Sequence, residues 1–325
     1  MKILIIKLTS MGDLMHALPA LTDASKQIPN IEFDWVVDES FSEIPLWHPK
    51  VNSVIKTNHR IWKRNIFSFK LLNEINNIKK ILNNKNYDAV IDMQNNLKSA
   101  AVSYLIKEPV NGMDKESVRE YLAHFAYQFK HTIVKDDHAI NRQRNLLAMS
   151  LDYKIKEEKL DYGITTNNFK KPKLQLPKNY LFLVHNASWP SKMWPISYWQ
   201  KLIKYINQEG FIGLLPSGSI EEYERAREIA SVSDQCIALK TLSLNETAFI
   251  INQAEGCVCS DTGLAHLAAL LNKPSVTMYS VTKTGLIGTK GKNQKHIISS
   301  DSKMESIHPQ LVWKELELLM KTGGG

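Results

Sequence analysis

The sequence predicts a doubly wound α/β protein of two Rossmann-like halves facing a central cleft. Three observations carry that prediction. Apolar runs of strand length alternate with stretches of helical periodicity along the chain, the pattern of parallel βαβ units. The alternation stops in a charged, proline-bearing passage from about 152 to 178 and then begins again. At 325 residues the chain is also long for one hydrophobic core, so two domains are expected.

The first apolar run, Ile3-Leu4-Ile5-Ile6, is too short to cross a membrane and suits a buried parallel strand. Leu14, Leu18 and Leu21 follow at helical spacing, with Pro19 early, where a first turn tolerates proline. Ser10 to Asp13 should therefore be a tight turn between a first strand and a first helix. Gly12 lets the backbone bend there and lets another molecule come close. Asp13 has two readings at this place. It is a helix N-cap, which stabilises by about 1 kcal/mol, or it is a functional carboxylate above a strand's carboxyl end, where open α/β sheets bind ligands. The turn lacks a full G-x-G-x-x-G, which disfavours a dinucleotide fingerprint.

The same periodicities predict strands over 31–37, 51–56 and 87–93, and helices over 69–82 and 98–105. After the passage they predict strands over 180–184, 211–215, 256–259 and 275–279. Helices are expected over 197–208 (ended by Gly210), 221–230, 243–253, 264–271 and 309–320. The domains are drawn at 1–165 and 166–305, with 306–325 as a terminal helix.

Composition sets the class. Hydrophobic residues make up 43% and charged residues 23%, as in ordinary soluble globular proteins. No apolar run reaches transmembrane length, and the first residues lack a signal-peptide pattern, so a cytoplasmic protein is expected. Three cysteines without framework spacing argue against structural disulfides. Cys257 and Cys259 flank Val258 in an apolar strand and read as buried small hydrophobes. Net charge is +8, which favours an anionic partner without naming it.

A second turn stands out: Ser260-Asp261-Thr262-Gly263-Leu264-Ala265-His266 follows a strand and opens a helix. Thr262 and Gly263 would offer backbone N–H groups to a phosphate. Asp261 could accept hydrogen bonds from sugar hydroxyls, and His266 shares the helix face of Thr262. The bland alternative is a capped helix with a core histidine.

Taken together, Ser-x-Gly-Asp in the first half and Asp-Thr-Gly-x-x-His in the second resemble the family 9 glycosyltransferases, the heptosyltransferases of lipopolysaccharide core synthesis. The likeness spans nearly the whole chain. It includes Lys7 to Asp13, Leu18 to Asp23, Phe33 to Val37, Trp47-His48, Tyr87 to Asp92, Lys98 to Ala101, Gly112 to Asp114 and Gly285 to Gly288. These segments look most like the branch that adds the first heptose to the Kdo region of lipid A. The resemblance implies a GT-B fold, an ADP-heptose donor in the C-terminal half, and a Kdo-lipid A acceptor in the N-terminal half. It also implies a final helix that returns to the first domain.

The chemistry so implied is a single inverting displacement. Asp13 is the candidate general base, since a partly desolvated carboxylate can take the acceptor hydroxyl's proton. Lys192 matches the cation that steadies the departing diphosphate. Ala187 (threonine in relatives), Ser188, Glu222 on the ribose, Leu242 along the adenine, Asp261, Thr262, Gly263 and His266 complete the donor set. The stretch from Tyr279 to Thr284 departs from the family's Gly-Pro-Thr-Asp-Pro, so its local geometry should differ. The acceptor set is Ser10, Gly12, Arg60, Lys63, Arg64, Gln94, Lys98, Arg119, Arg142 and Arg144, because arginine forks match carboxylates and phosphates. Arg60 to Phe69 interleaves cations with Trp62 and Phe67, which suits an anionic inner-membrane surface. No metal, no nucleic acid and a monomer are expected. A family member acting on a later core acceptor, and a nucleotide-binding protein without catalysis, stay open.

Overall fold

A computed structural model describes residues 1–58, 69–156 and 159–322. Contacts divide the chain into Met1–Asn167 and Asn168–Gly325.

In the first unit, β1 (Lys2–Ile6), β2 (Glu32–Asp38), β3 (Val51–Thr57), β4 (Ala89–Asp92), β5 (Val110–Met113) and β6 (Phe129–His131) form one sheet. The order is β3-β2-β1-β4-β5-β6, with every pairing parallel. β1 is central: Ile3 faces Phe33 on one side and Ala89 on the other. Ile3 to Ile6 are wholly buried, which is why this strand reads as an unbroken apolar run rather than an alternating one.

The single helix expected after β1 is in fact two, α1 (Met11–Met15) and α2 (Leu18–Gln27). Pro19 explains the break. Its ring crowds the carbonyl four residues back and it has no N–H to donate. That carbonyl belongs to Met15, the last residue of α1. The unit's other helices are α3 (Phe69–Asn83), α4 (Leu97–Ser103) and α5 (Ala139–Ser150). The passage expected to join the domains packs on the first unit as far as Thr165, whose N–H reaches the Trp47 carbonyl.

The second unit repeats the plan. β7 (Tyr180–Val184), β8 (Ile212–Leu215), β9 (Cys236–Ala238), β10 (Gly256–Ser260), β11 (Ser275–Tyr279) and β12 (Gln294–Ile298) run parallel in the order β12-β11-β10-β7-β8-β9. The helices are α6 (Ile196–Gln208), α7 (Ile220–Ala230), α8 (Leu244–Gln253), α9 (Gly263–Leu270), α10 (Thr284–Ile287) and α11 (Pro309–Thr322). Trp194 and Trp199 meet edge to face at 5.0 Å in its core. α11 packs on α6 and on β10, β11 and β12 of its own unit. Cys257 and Cys259 are buried and free, as the sequence suggested. Burial pushes the Cys257 thiol up to about 12 and raises that of Cys259 as well. No described helix is long and apolar enough to cross a membrane.

In each sheet the strand order reverses once, between β1 and β4 in the first unit and between β7 and β10 in the second. Open parallel sheets bind ligands at the carboxyl ends of the strands flanking such a reversal. The Asp13 turn leaves β1, and the Asp261 turn leaves β10.

Candidate functional site

At the first reversal, Asp13 is the third residue of α1 and Ser10 is its cap. Ser10 donates from both its backbone N–H and its hydroxyl to Asp13 Oδ2, each at 3.1 Å. The cap expected at Asp13 therefore belongs to Ser10, and Asp13 is the acidic partner in a capping box. Asp13 is half-buried, Gly12 buried and Ser10 exposed. Gln94, just past β4, holds the incoming chain: its Oε1 accepts from Leu8 N at 3.1 Å and Thr9 N at 3.2 Å.

Beneath this loop lies Lys7, only 3% exposed. Its ammonium donates to the Met93 carbonyl at 2.8 Å. Burial pushes its pKa down to about 8; Asp13 and Asp92 oppose that shift, while Arg119 and Arg142 add to it. Asp92 is fully buried, which raises its pKa. It accepts from Gln94 N at 2.8 Å, Asn95 N at 2.9 Å and the Tyr127 hydroxyl at 2.8 Å. Tyr127 reaches it only because Gly112 has no side chain, since a Cβ there would stand 2.3 Å from the ring.

At the second reversal, loops after β7, β10 and β11 converge. Lys192, in a single 3-10 turn over Pro190–Lys192, pairs with Asp261 Oδ2 at 2.7 Å. Thr282 donates to the same oxygen at 2.5 Å. Ser280 donates to the Ser191 carbonyl at 2.7 Å and ties the β11 loop to the Lys192 turn. A cavity of about 470 Å³ opens beside them, lined by Trp189, Ser191, Lys192, Thr282, Lys283 and Ile287 among others. Thr262 caps α9 through its backbone only, and its buried hydroxyl has no partner among the described residues. The buried hydroxyls of Ser217 and Ser260 are likewise unpartnered. Buried polar atoms are normally satisfied, so the unpartnered Thr262 hydroxyl beside Asp261 suits a polar ligand. Among the described residues, no three His, Cys, Asp or Glu side chains come together as a metal-binding group.

A family model for glycosyltransferase family 9 (heptosyltransferase) matches residues 75–316. The chain belongs to this family. Lipopolysaccharide heptosyltransferase 1 of Pseudomonas aeruginosa is 40% identical over 298 residues, covering 91% of this chain and 83% of that protein. The solved structure of Escherichia coli heptosyltransferase WaaC with ADP superposes with a TM-score of 0.92 at 39% identity, covering 98% of this chain and all of that one. The same enzyme with ADP-2-deoxy-2-fluoro heptose gives 0.89 at 37% identity, covering 98% and 99%. The two six-stranded parallel sheets are thus those of a GT-B glycosyltransferase.

Against this family 9 frame, the structure brings some of the expected residues together and removes others. Lys192, Asp261 and Thr262 share one reversal; Ser10, Gly12, Asp13 and Gln94 share the other. Glu222 is half-buried, with Oε2 accepting from Gly218 N at 2.6 Å, so it closes the Pro216-Ser217-Gly218 turn. Ser188 is exposed, Ala187 and Leu242 are half-buried, and His266 is buried in α9. Lys98 and Arg119 are exposed. Arg142 donates to the Ser117 carbonyl at 2.6 Å.

Arg144 corrects an expectation. It forms a buried two-pronged ion pair with Asp23, at 2.6 and 3.2 Å, that fastens α5 to α2. A guanidinium taken out of water and paired in this way has its donors turned to Asp23 instead of to solvent. Arg60, Lys63 and Arg64, with Trp62 and Phe67, lie outside the described residues.

Sequence reasoning passed over Lys7, Asp92, Tyr127, His185 and Thr282 as site residues. His185 ends the β7 run and donates from Nε2 to the Pro216 carbonyl at 2.9 Å, which steadies the Glu222 turn. Its signal was a lone histidine directly after Tyr-Leu-Phe-Leu-Val. Lys7 offered the same kind of signal, a charge directly after the β1 run.

Proposed function

We propose that this chain transfers L-glycero-D-manno-heptose from ADP-heptose to the Kdo residue of Kdo-lipid A, inverting the anomeric centre, in lipopolysaccharide inner-core synthesis. Asp13 is the general base. Both Ser10 bonds fall on Oδ2, which assigns Oδ1 to the acceptor hydroxyl. As the acceptor hydroxyl oxygen bonds to the heptose C1, the C1–O bond to ADP breaks and the hydroxyl proton passes to Asp13 Oδ1. Buried Lys7 places a positive charge beneath the turn that carries this carboxylate.

The departing ADP carries the negative charge away from C1. Lys192 meets it, exchanging its contact with Asp261 for the diphosphate, and the N–H groups at the start of α9 add their dipoles. Asp261 and Thr282 hold the ammonium in place until then. This arrangement supplies the cationic stabilisation from the protein, and we assign the reaction no metal. Acceptor binding draws on Lys98 and Arg119 together with Arg60, Lys63 and Arg64. The enzyme works as a monomer on the cytoplasmic face of the inner membrane, where its acceptor is anchored.

The observation that carries this reading is the Lys192–Asp261 pair beside a ligand-sized cavity at a sheet reversal. Its support is a match of 37% identity over nearly the full length of a heptosyltransferase solved with ADP-2-deoxy-2-fluoro heptose. The test is a coupled ADP-release assay across nucleotide sugars, with and without Kdo-lipid A. Release that requires both ADP-heptose and Kdo-lipid A is expected. Release only with a longer core acceptor would assign the chain to a later step. Binding of ADP with no release on any acceptor would leave a nucleotide-binding protein.

A further inference from the structure

The 3-10 helix over Tyr121–Ala126 is packed inside out. Its small residues Ala123 and Ala126 are buried, while Tyr121, Leu122 and Phe125 are 58%, 59% and 59% exposed. Large apolar side chains contribute most when they leave water, and a cluster of them held outward on one turn marks an interaction surface. The cluster is ordered rather than splayed. The rings of Tyr121 and Phe125 meet edge to face at 6.2 Å, and Phe125 lies 4.0 Å from the buried His124 ring. Leu97, 49% exposed, adjoins it, since its N–H donates to Glu120 at 2.9 Å.

Charge accompanies the apolar surface. Lys98 and Arg119, the neighbours of Leu97 and Glu120, are both exposed. The exposed Glu120 carboxylate accepts from Leu97 at the α4 N-terminus, and the two cations outnumber it. A tyrosine, two large apolar side chains and flanking cations together match the interface of an anionic bilayer.

The surface is also fixed to the candidate base. The Asn95 carbonyl accepts from Arg119 N at 3.2 Å and Glu120 N at 3.3 Å. The adjoining Gln94 holds Leu8 and Thr9, which lead into the Asp13 turn. Two consecutive residues after β4 thus join the exposed cluster to the reacting carboxylate.

We propose that Tyr121, Leu122 and Phe125, with Lys98 and Arg119 beside them, seat the first unit on an anionic lipid bilayer and thereby set the height of Asp13 above it. The proposal rests on the reading above that the acceptor is a lipid-anchored sugar. An amphiphile keeps its acyl chains in the bilayer while its sugar end stands out, so a base on a rigid mount at the interface meets the hydroxyl without extracting the lipid.

The test is co-sedimentation of the full chain with vesicles of phosphatidylethanolamine and phosphatidylglycerol, and with phosphatidylcholine vesicles. It compares wild type with the double variant Leu122→Ser/Phe125→Ser. Both positions are exposed, and a matching thermal melt establishes that the variant is folded. Wild type should bind the anionic vesicles and bind neutral ones more weakly, and the variant should lose about tenfold in partitioning. ADP release with a deacylated, water-soluble Kdo acceptor should be equal in the two proteins, while release with vesicle-borne Kdo-lipid A should fall in the variant. Equal partitioning of variant and wild type overturns the proposal, as does a variant that only dissolves a dimer. If neither protein releases ADP with either acceptor, the functional reading fails while the sedimentation result still decides the docking surface.

Discussion

Lys192 and Asp261 meet at 2.7 Å, with their side chains 19% and 9% exposed. A pair this sheltered is held in register, and removing one partner leaves the other charge poorly solvated. In the proposed reaction the ammonium leaves this partner for the diphosphate. Lys192→Ala should therefore weaken ADP binding and slow turnover together, each by at least about tenfold. Isothermal calorimetry with ADP and steady-state rates give both numbers. Unchanged values in each would make Lys192 an ordinary loop lysine.

The Asp92–Tyr127 bond depends on a missing side chain. Gly112→Ala places a methyl 2.3 to 2.5 Å from three atoms of the Tyr127 ring, on a strand backbone that cannot easily retreat. Overpacking of this kind costs about 1–3 kcal/mol, and displacing the ring also removes a bond from the buried Asp92 carboxylate. Chemical denaturation should show a loss in that range or above. Wild-type stability in the variant would mean that the ring shifts freely.

Two buried histidines set an acid limit. Burial lowers the pKa of both His48 and His185 to about 4. An unfolded histidine titrates near 6.5, so the unfolded chain binds more protons between those values and the folded state loses ground as pH falls. The contribution is fully present above about pH 6.5 and is lost progressively towards about pH 4, by up to about 3 kcal/mol per histidine. Urea midpoints measured from pH 7 to pH 4.5 should fall steadily. A His48→Gln variant, which keeps a polar partner for Thr22, should show a shallower slope. Parallel slopes would assign the acid sensitivity to other groups.

The sequence was most legible where burial was complete. The runs 180–184 and 275–279 match their strands at both ends, because every residue in them is buried and the flanking residues, Asn179 and His185 for one and Pro274 and Ser280 for the other, break the run. β6 and β9 escaped notice because three residues at a sheet edge are too few for any period to appear. The α1–α2 break could have been read from Pro19 and Met15, since the clash is local. Arg144 could not have been read, because its partner Asp23 lies 121 residues away and only the packing of α2 on α5 brings them together. Lys7 was passed over for a different reason: a lysine is solvated by default, and its place directly after the β1 run is a weak signal that its stem lies buried.

The site divides in the same way. Turns that leave a strand and open a helix place their polar residues consecutively, so Asp13, Asp261 and Thr262 stand out as candidates in the sequence. Thr282 was not singled out, because its role arises from a contact between two loops.

The central claim is that Asp13 takes the proton, and the most direct measurement compares Asp13→Ala and Asp13→Asn with wild type in steady-state ADP release from ADP-heptose on Kdo-lipid A. Removing a general base costs about 10²–10⁴-fold. The account predicts a fall in kcat of that size in both variants, with ADP-heptose affinity held within about twofold because the donor groups belong to the other sheet's reversal. A folded Asp13→Asn protein with near-normal kcat would contradict it and would leave Asp13 as the partner of Ser10 in a helix cap.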